Sequence, residues 1–242
     1  MKVIYDKNGN KNLIKDTSKD YHTKIGTISK TDFEKGIAKT NKGEEIVIFD
    51  AEFIDLYERI KRTAQIMTLK DIGTIITYCG LGKDSVVIDS GSGSGGACCF
   101  IANIVKKVYT YDNNKEHIKS VLKNVEDLGI KNIELTERDV YLDGYNQKNV
   151  DLVILDIKEP WFCLKHAAFA LKRGGFLVSY SPNITQTSEL IAENERADKE
   201  NYFIHLKTIE IIEREWIVEG KKARPSFARL GHTGFLTFMR RT

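Results

Sequence analysis

The feature that most constrains the fold is a buried apolar run that leads directly into a glycine loop. Residues 86–90 read Val-Val-Ile-Asp-Ser, and Gly-Ser-Gly-Ser-Gly-Gly follows at 91–96. Gly91, Gly93 and Gly96 match the Gly-x-Gly-x-x-Gly pattern, in which a strand turns tightly into a helix and a ligand approaches the backbone closely. The pattern alone is weak, but its position between a strand and a small-residue helix favours a binding site over a simple turn.

Beyond residue 68, short apolar runs alternate with amphipathic stretches. The predicted strands are 86–90, 107–112, 132–138, 150–157, 176–180, 203–218 and 233–239, and the predicted helices are 95–105, 114–128, 161–171 and 184–197. This alternation predicts an α/β protein with a Rossmann-like, mostly parallel sheet that is covered on both faces. The last two strands are joined by a loop rather than a helix, so an antiparallel C-terminal edge is expected.

The first fifty residues have a different pattern. Short β-rich runs are separated by Gly and Asn turns, which predicts a small antiparallel sheet or barrel at 1–50. Phe53, Leu56 and Ile60 keep helical spacing, so a helical connector is expected at 51–72, followed by the large domain at 73–242. With 242 residues and a hydrophobic share of 41%, the chain is long and apolar enough for both parts.

Composition excludes several classes of protein. No apolar run approaches the roughly 18 residues of a membrane span, and no signal-peptide core begins the chain, so a cytoplasmic location is expected. The four cysteines form no Cys-x-x-Cys pair, so no metal site is expected, and Cys98 and Cys99 are interpreted as packing residues, with a redox role left open. The net charge of +3 permits a nucleic-acid partner without requiring one.

Carboxylates near the strand ends indicate which ligand the loop binds. Asp89 precedes Gly91 by two residues, where it would repel a pyrophosphate but attract a sulfonium or ammonium. Asp112 follows the loop by roughly the 20 residues expected of a ribose-hydroxyl acceptor. Asp139 follows the third strand, with Val140 beside it, where it suits the adenine amino group. Together they favour S-adenosyl-L-methionine over a nicotinamide dinucleotide.

Asp156 stands at the end of the fourth strand, in Leu-Asp-Ile-Lys-Glu-Pro-Trp at 155–161. Strand carboxyl ends line the ligand crevice in such folds, so Asp156 is expected between the methyl donor and the acceptor. The alternative roles are a helix N-cap for Asp156 and a core aromatic for Trp161. The segment is not Asn-Pro-Pro-Tyr, the motif that usually grips an exocyclic amine, which favours a ring nitrogen or another acceptor.

Three segments carry a family resemblance: 156–161, 179–186 and 224–236. They resemble the tRNA (adenine-N1)-methyltransferases often called TrmI, and the resemblance covers nearly the whole chain. Segments 22–26 and 41–45 resemble that family's small β-domain. The resemblance implies methylation of N1 of adenine at position 58 in the tRNA T-loop, sometimes also at position 57, by a homotetramer.

The resemblance also implies roles for individual residues. N1 of neutral adenine has an in-plane lone pair and needs no deprotonation, so the enzyme's main task is alignment. Asp156 would bond the N6 amino group and stabilise the positive charge that develops, and Tyr180 would pack on or bond to the base, so both are predicted catalytic residues. The alternative role of Tyr180 is a core aromatic at the end of its strand. The predicted donor-binding residues are Gln65, Asp89, Ser90, Gly91, Ser92, Gly93, Ser94, Gly95, Gly96, Asp112, Asp139, Val140 and Asp156.

A tRNA substrate adds a further requirement. The target adenine is paired in the folded elbow, so its extraction costs a few kcal/mol that backbone contacts must offset. Basic residues predicted to hold phosphates, each of which has a solvated surface role as its alternative, are Lys24, Lys30, Lys42, Lys221, Lys222, Arg224, Arg229, Arg240 and Arg241. His232 is expected to have a hydrogen-bonded structural role rather than to act as a base.

The chain departs from the family pattern at two positions. Gln65, Lys70 and Asp71 are kept, but Thr68 and Leu69 stand where the family has Tyr-Pro. Threonine has no aromatic face, and base–aromatic stacking contributes roughly 1–3 kcal/mol. Two alternatives therefore stay open: a non-catalytic tRNA-binding subunit of such an enzyme, or a methyltransferase of the same fold with another acceptor, such as isoaspartate or a small molecule.

Overall fold

The computed structural model describes residues 1–196, 202–227 and 231–242. The chain divides into two compact units, Met1–Ile60 and Lys61–Thr242. The helical connector predicted at 51–72 is therefore split between the units, with the helix Phe53–Tyr57 in the first and the start of the helix Leu69–Cys79 in the second. Among the described residues, no helix has the length and apolar character needed to cross a bilayer.

The first unit is built from antiparallel strands. Its elements are β1 (Lys2–Asp6), β2 (Lys11–Ile14), β3 (Tyr21–Thr23), β4 (Gly26–Ile28), β5 (Ile37–Lys39), β6 (Glu45–Asp50) and α1 (Phe53–Tyr57). Four strands form a sheet in the order β2-β1-β6-β5, and β3 pairs with β4 in a separate hairpin. The predicted small β-domain is thus an open sheet with a hairpin. Its apolar core includes Ile4, Ile14, Ile28, Phe33 and Ile46.

The second unit is an α/β layer structure. Its strands are β7 (Val86–Ser90), β8 (Lys107–Asp112), β9 (Ile133–Glu137), β10 (Val150–Leu155), β11 (Leu171–Ser181), β12 (Phe203–Glu210), β13 (Trp216–Glu219), β14 (Lys222–Pro225) and β15 (Phe235–Arg241). Its helices are α2 (Leu69–Cys79), α3 (Gly96–Ala102), α4 (Lys115–Asp127), α5 (Val140–Asp143), α6 (Leu164–Ala170) and α7 (Ile184–Arg196).

Seven strands form the main sheet in the order β12-β15-β11-β10-β7-β8-β9. The strands from β7 to β11 are parallel, while β15 is antiparallel to both β11 and β12. The predicted Rossmann-like sheet with an antiparallel C-terminal edge is confirmed. Strand β10 lies in the middle of the sheet, and Leu152, Val153, Ile154 and Leu155 are fully buried, as a continuous apolar run covered on both faces requires.

The boundaries differ from the prediction where local pattern and long-range pairing disagree. The strand predicted at 203–218 is two strands, because β12 joins the main sheet while β13 pairs with β14 around Gly220. The predicted helix at 161–171 is a 3₁₀ turn at Pro160–Cys163 followed by α6. Helix α2 was not predicted, although Gly80 ends it in a left-handed conformation typical of a C-terminal cap. Residue 197, at the end of the helix predicted at 184–197, lies outside the described residues.

Candidate functional site

The glycine loop joins β7 to α3 at the carboxyl edge of the sheet. Gly91, Gly93 and Gly95 have φ values of 90°, 52° and 83°, which side chains rarely adopt. A Cβ atom on Gly91 would lie 2.0 Å from the backbone carbonyl oxygen of Asp156. The first glycine is therefore required because the backbone that follows β10 crosses directly over it.

Asp112, the last residue of β8, fixes the loop. Its Oδ2 atom accepts hydrogen bonds from the Gly93 amide at 2.9 Å and from the Ser92 hydroxyl at 3.4 Å. Its Oδ1 atom accepts from the Asn114 amide at 2.9 Å, and the ring nitrogen Nδ1 of His117 lies 3.1 Å from Oδ2. The carboxylate is thus held in one orientation at the edge of the sheet.

Two serines of the loop region tie neighbouring segments to it. The Ser94 hydroxyl accepts hydrogen bonds from the Thr63 and Ala64 amides, each at 2.8 Å, and donates to the Ala64 carbonyl at 3.0 Å. These bonds bring the segment that contains Gln65 against the loop. The Ser90 hydroxyl lies 2.8 Å from the Tyr145 hydroxyl, within the core.

A cavity of about 390 Å³ opens beside this loop. Its lining includes seven of the predicted donor-binding residues: Gln65, Gly91, Gly93, Asp112, Asp139, Val140 and Asp156. The remaining six do not line it: Asp89, Ser90, Ser92, Ser94, Gly95 and Gly96. Most of this second group belong to the loop or the start of α3, where they shape the turn rather than the cavity wall.

Asp89 lies one layer below the loop and is 1% exposed. Its Oδ2 atom accepts a 2.7 Å hydrogen bond from the Thr110 hydroxyl, while its buried Oδ1 atom has no hydrogen-bond partner among the described residues. Burial raises the pKa of Asp89, the Thr110 bond lowers it and the nearby charge of Asp112 raises it, and together these effects bring the pKa to about 7. A buried carboxylate oxygen without a donor is a strong attractor for a cation.

Strand register places four residues in one row at the end of the sheet. Leu155 pairs with Ser179 and with Ser90, and Ser90 pairs with Tyr111. The next residue of each strand or its extension forms the adjacent row: Tyr180, Asp156, Gly91 and Asp112. At Gly91 the Asp156 carbonyl oxygen occupies the place that a Cβ atom would take, and Asp156 and Asp112 lie on either side of this position. Asp89 lies two residues before Gly91 on β7.

Asp156 lines the cavity on the side away from Asp112. Burial and, to a smaller extent, the charge of Asp89 together raise its pKa to about 8. Its amide donates a 2.9 Å hydrogen bond to the Ser90 carbonyl, which extends the β10–β7 ladder by one residue. The side chain is therefore held by regular sheet geometry rather than by a loop.

Tyr180 lies beside Asp156 in the row but does not line the cavity. Its side chain is buried, and burial raises its pKa to about 12, to which the charges of Asp71 and Asp156 contribute. A Cβ atom on Gly234 would lie 2.6 Å from the Tyr180 ring, so the backbone before β15 packs closely against this tyrosine. The two predicted catalytic residues are thus brought together, with the tyrosine packed more deeply than the sequence indicated.

Sequence reasoning missed several residues of the cavity wall. Arg138 lines it, with its guanidinium 5.7 Å from the centre of the Tyr111 ring, and His117 lines it from the first turn of α4. Both residues lie close in sequence to predicted site residues, which could have indicated them: Arg138 directly precedes Asp139, and His117 follows Asp112 by five residues. Other lining residues that were not predicted are Ala64, Tyr111, Asn113, Asn114, Tyr141, Ile157 and Lys158.

The predicted phosphate-binding cations have varied surroundings. Arg240 donates to the Gly174 carbonyl at 2.8 Å, and Arg241 donates to the Ala168 carbonyl at 2.7 Å, so both are tied to the backbone. Lys222 and Arg224 lie on the hairpin β13–β14, with the Arg224 guanidinium 4.7 Å from the Phe227 ring centre. Arg229 lies outside the described residues. Within those residues, no group of three or more His, Cys, Asp or Glu side chains could hold a metal ion.

The sheet order, the glycine loop after β7 and the carboxylates at the ends of the following strands define a class I methyltransferase fold. Residues 56–224 match the family described as tRNA methyltransferase complex GCD14 subunit. The match spans well over half of the chain, and the chain belongs to this family.

Two curated relatives are both named as tRNA adenine-N1 methyltransferases. The chain is 31% identical to the tRNA (adenine(57)-N(1)/adenine(58)-N(1))-methyltransferase TrmI of Methanocaldococcus jannaschii, over 99% of this chain and 94% of that protein. It is 33% identical to the tRNA (adenine(58)-N(1))-methyltransferase TrmI of Thermus thermophilus, over 85% of this chain and 81% of that protein.

Two solved structures resemble the whole chain. A SAM-dependent O-methyltransferase from Thermotoga maritima has a TM-score of 0.87 at 25% identity, covering 100% of this chain and 92% of its own. The tRNA (m1A58) methyltransferase TrmI from Aquifex aeolicus has a TM-score of 0.83 at 22% identity, covering 100% and 96%. The second likeness concerns the fold alone.

Proposed function

We propose that this protein is an S-adenosylmethionine-dependent methyltransferase that modifies N1 of adenine 58 in the T-loop of tRNA. The observation that carries the proposal is the row in which Asp156, Gly91 and Asp112 lie side by side at the cavity. This row offers one carboxylate to the donor and another to the acceptor. The sequence supports the same proposal, because the chain is similar to two relatives whose names both include adenine 58.

The residues of the cavity fit the proposed donor. Asp112 would accept hydrogen bonds from the ribose hydroxyls, and Asp139 with Val140 would meet the adenine ring. The unpartnered Oδ1 atom of buried Asp89 suits the positive end of the ligand, since a carboxylate there disfavours a pyrophosphate. When bound, this donor supplies a methyl group made electrophilic by a sulfonium.

Asp156 would act on the acceptor base. Its carboxylate would accept a hydrogen bond from the N6 amino group and so orient N1. Methylation at N1 places positive charge on the adenine, and an anionic carboxylate in a low-dielectric site stabilises that charge more strongly than water does. The cationic ligand and the charge that develops on the base both favour the ionised form of Asp156, which offsets the effect of burial on its pKa.

The proposal also covers the partner, the oligomeric state and the location of the protein. The protein would bind tRNA, would form a homotetramer and would lie in the cytoplasm. Adenine 57 is a second candidate position, because the relative from Methanocaldococcus jannaschii is named for both adenines. Light scattering of the purified protein measures the assembly directly, and a mass near four times 27.5 kDa is expected.

One experiment tests the reaction and its position. The protein is incubated with methyl-labelled donor and an unmodified tRNA transcript, which is then digested to nucleosides. We expect labelled 1-methyladenosine, with loss of the label when adenine 58 of the transcript is replaced by guanine. A transcript changed at adenine 57 instead separates single-site from two-site modification.

Asp156→Ala and Asp127→Ala form a matched pair for this assay. Asp127 is a carboxylate of α4 that pairs with Lys123 and does not line the cavity. Loss of one positioned group typically lowers turnover by about 10²–10³-fold, so Asp156→Ala should fall by that amount while Asp127→Ala keeps full activity. Intact tRNA binding without any 1-methyladenosine would refute the proposal and favour the non-catalytic subunit, and label in isoaspartate or a small molecule would favour another acceptor.

A further inference from the structure

The segment Gly231–Gly234 precedes β15 and reads Gly-His-Thr-Gly. Its last three residues, His232–Gly234, each contact a different part of the second unit. We call these three residues the His-Thr-Gly segment. Their contacts converge on Tyr180, which the donor cavity leaves without a role.

Thr233 belongs to a buried polar cluster at the start of α2. Its hydroxyl donates a 2.9 Å hydrogen bond to Oδ2 of Asp71 and accepts a 2.6 Å bond from Nζ of Lys70. Asp71 is completely buried, and its two oxygens also accept from Lys70 at 2.9 Å and from the Thr68 hydroxyl at 2.7 Å. Asp71 therefore accepts three hydrogen bonds and is paired with Lys70, as a buried carboxylate requires.

Thr233 is held from two sides, because its hydroxyl donates to Asp71 and accepts from Lys70. The residue that follows it, Gly234, packs against Tyr180: a Cβ atom there would lie 2.6 Å from Cε2 and Cζ of the tyrosine ring. Only a residue without a side chain lets the ring approach this backbone so closely. The bonds of Thr233 therefore fix the backbone against which the Tyr180 ring packs.

His232 anchors the chain on the other side of Tyr180. Its Nδ1 atom lies 2.6 Å from Oε1 of Glu210, and its Nε2 atom lies 2.8 Å from the Pro182 carbonyl oxygen. Both partners are acceptors, so both ring nitrogens donate and the imidazole is positively charged. Pro182 follows Tyr180 by two residues, and the backbone beyond the tyrosine is therefore fixed as well.

We propose that the His-Thr-Gly segment is a positioning element that fixes the ring of Tyr180 beside Asp156 and thereby sets the plane in which the acceptor base is held. The proposal rests on the proposed function. It also gives Thr68 a role: this residue has no ring to stack on a base, but its hydroxyl completes the Asp71 cluster that holds Thr233. The aromatic surface for the base then comes from Tyr180.

The test compares Thr233→Ala, Thr233→Ser and Thr237→Ala. Thr237 is a buried threonine of the same strand region whose hydroxyl bonds Thr208 instead of Asp71, so it is a matched control. A small displacement of a positioned group costs up to about 10²-fold in turnover, so we expect kcat of Thr233→Ala to fall by about 10–100-fold. The KM for tRNA and the Kd of the donor should stay near their original values. Thr233→Ser should restore kcat, and Thr237→Ala should match the original protein.

A second measurement does not depend on activity. The protein is labelled with 3-fluorotyrosine, and the fluorine resonance of Tyr180 is identified as the one missing from Tyr180→Phe. Thr233→Ala should shift and broaden this resonance, whereas Thr233→Ser and Thr237→Ala should leave it in place. An unchanged resonance in Thr233→Ala would overturn the proposal, even if the protein methylates no adenine and the proposed function fails.

Kinetic results can also overturn it. A kcat of Thr233→Ala equal to that of Thr237→Ala would show that the segment does not position the acceptor. An equal loss in Thr233→Ser would mean that the hydroxyl is not the cause. A rise in donor Kd as large as the fall in kcat would assign the cluster to donor binding instead.

Discussion

The Oδ2 atom of Asp112 accepts a 2.9 Å hydrogen bond from the backbone amide of Gly93. One carboxylate thus supports the glycine loop and faces the cavity that the loop borders. The geometry of the loop and the shape of the cavity wall are coupled through this side chain, because any change at Asp112 acts on both.

Asp112→Asn is expected to weaken binding of the methyl donor by about 10–100-fold, since hydrogen bonds to charged groups contribute about 1.5–3 kcal/mol. Calorimetry with the donor and with its demethylated product measures this directly, and both ligands should lose affinity because both carry the ribose. Asp127→Asn on α4 is the control. Unchanged affinity in Asp112→Asn would restrict this residue to holding the loop.

Asp156 should make the ligand-free protein less stable as the pH rises. Its pKa is about 8 in the folded protein against 3.8 as the ordinary value, so between these pH values the folded state holds a proton that the unfolded state releases. Stability therefore declines with rising pH across this window. Asp89, with a pKa of about 7, contributes in the same direction.

Asp156→Asn removes this contribution. The variant should lose less stability than the original protein between pH 5 and pH 9, as measured by urea unfolding at each pH, while a smaller decline from Asp89 persists. Parallel curves for the two proteins would show that Asp156 ionises normally. Adding the cationic donor should reduce the difference, because it favours the charged carboxylate.

Gly91→Ala should destabilise the fold far more than Gly80→Ala. Gly80 has a φ of 61° and no atom within 4 Å of an added Cβ, so alanine there has only the left-handed backbone penalty of about 1 kcal/mol. At Gly91 the added Cβ atom would also lie only 2.0 Å from the Asp156 carbonyl oxygen. The loss in the free energy of unfolding should therefore reach about 3 kcal/mol there. Urea unfolding of both variants tests this, and equal losses would contradict it.

The charge on His232 should stabilise the protein at low pH. The bond to Glu210 and then that to the Pro182 carbonyl raise its pKa above the ordinary 6.5, with Lys70 opposing. A raised pKa means that the stabilisation is fully present below pH 6.5 and is lost as the pH rises through the raised value. Thermal unfolding of His232→Gln and of the original protein should therefore differ most below pH 6.5, and the difference should shrink as the pH rises through the raised pKa of His232. A constant difference would mean that only neutral hydrogen bonding matters.

The sequence pattern brings several of the predicted donor-binding residues to one edge of the sheet. Val86–Ser90 forms a buried strand, its glycines follow at once, and Asp112 ends the next strand, so local pattern alone brings these residues to one edge. Parallel strands place their carboxyl ends together whatever their order in the sheet. Gly91, Asp112, Asp139 and Asp156 accordingly line one cavity.

The acceptor side was less predictable, because its contacts join residues far apart in the chain. In the sequence, Thr68 stands where the family has an aromatic residue. In the structure, its hydroxyl donates to Asp71. Thr233 reaches the same carboxylate from 162 positions away. Neither bond leaves a periodic signal, since such pairing depends on how α2 and the approach to β15 pack in the tertiary structure.

By itself, the sequence determined the class of fold and the position of the glycine loop and its strand-end carboxylates, because strand periodicity and glycine placement act over short stretches of chain. It also carried the motifs that place the protein in its family. Only the tertiary structure decided that one oxygen of Asp89 has no hydrogen-bond partner among the described residues, that Asp156 and Tyr180 follow paired positions of neighbouring strands, and that Gly234 packs against the Tyr180 ring. Those relationships follow from strand register and from buried polar groups seeking partners, which bring together residues that no local pattern connects.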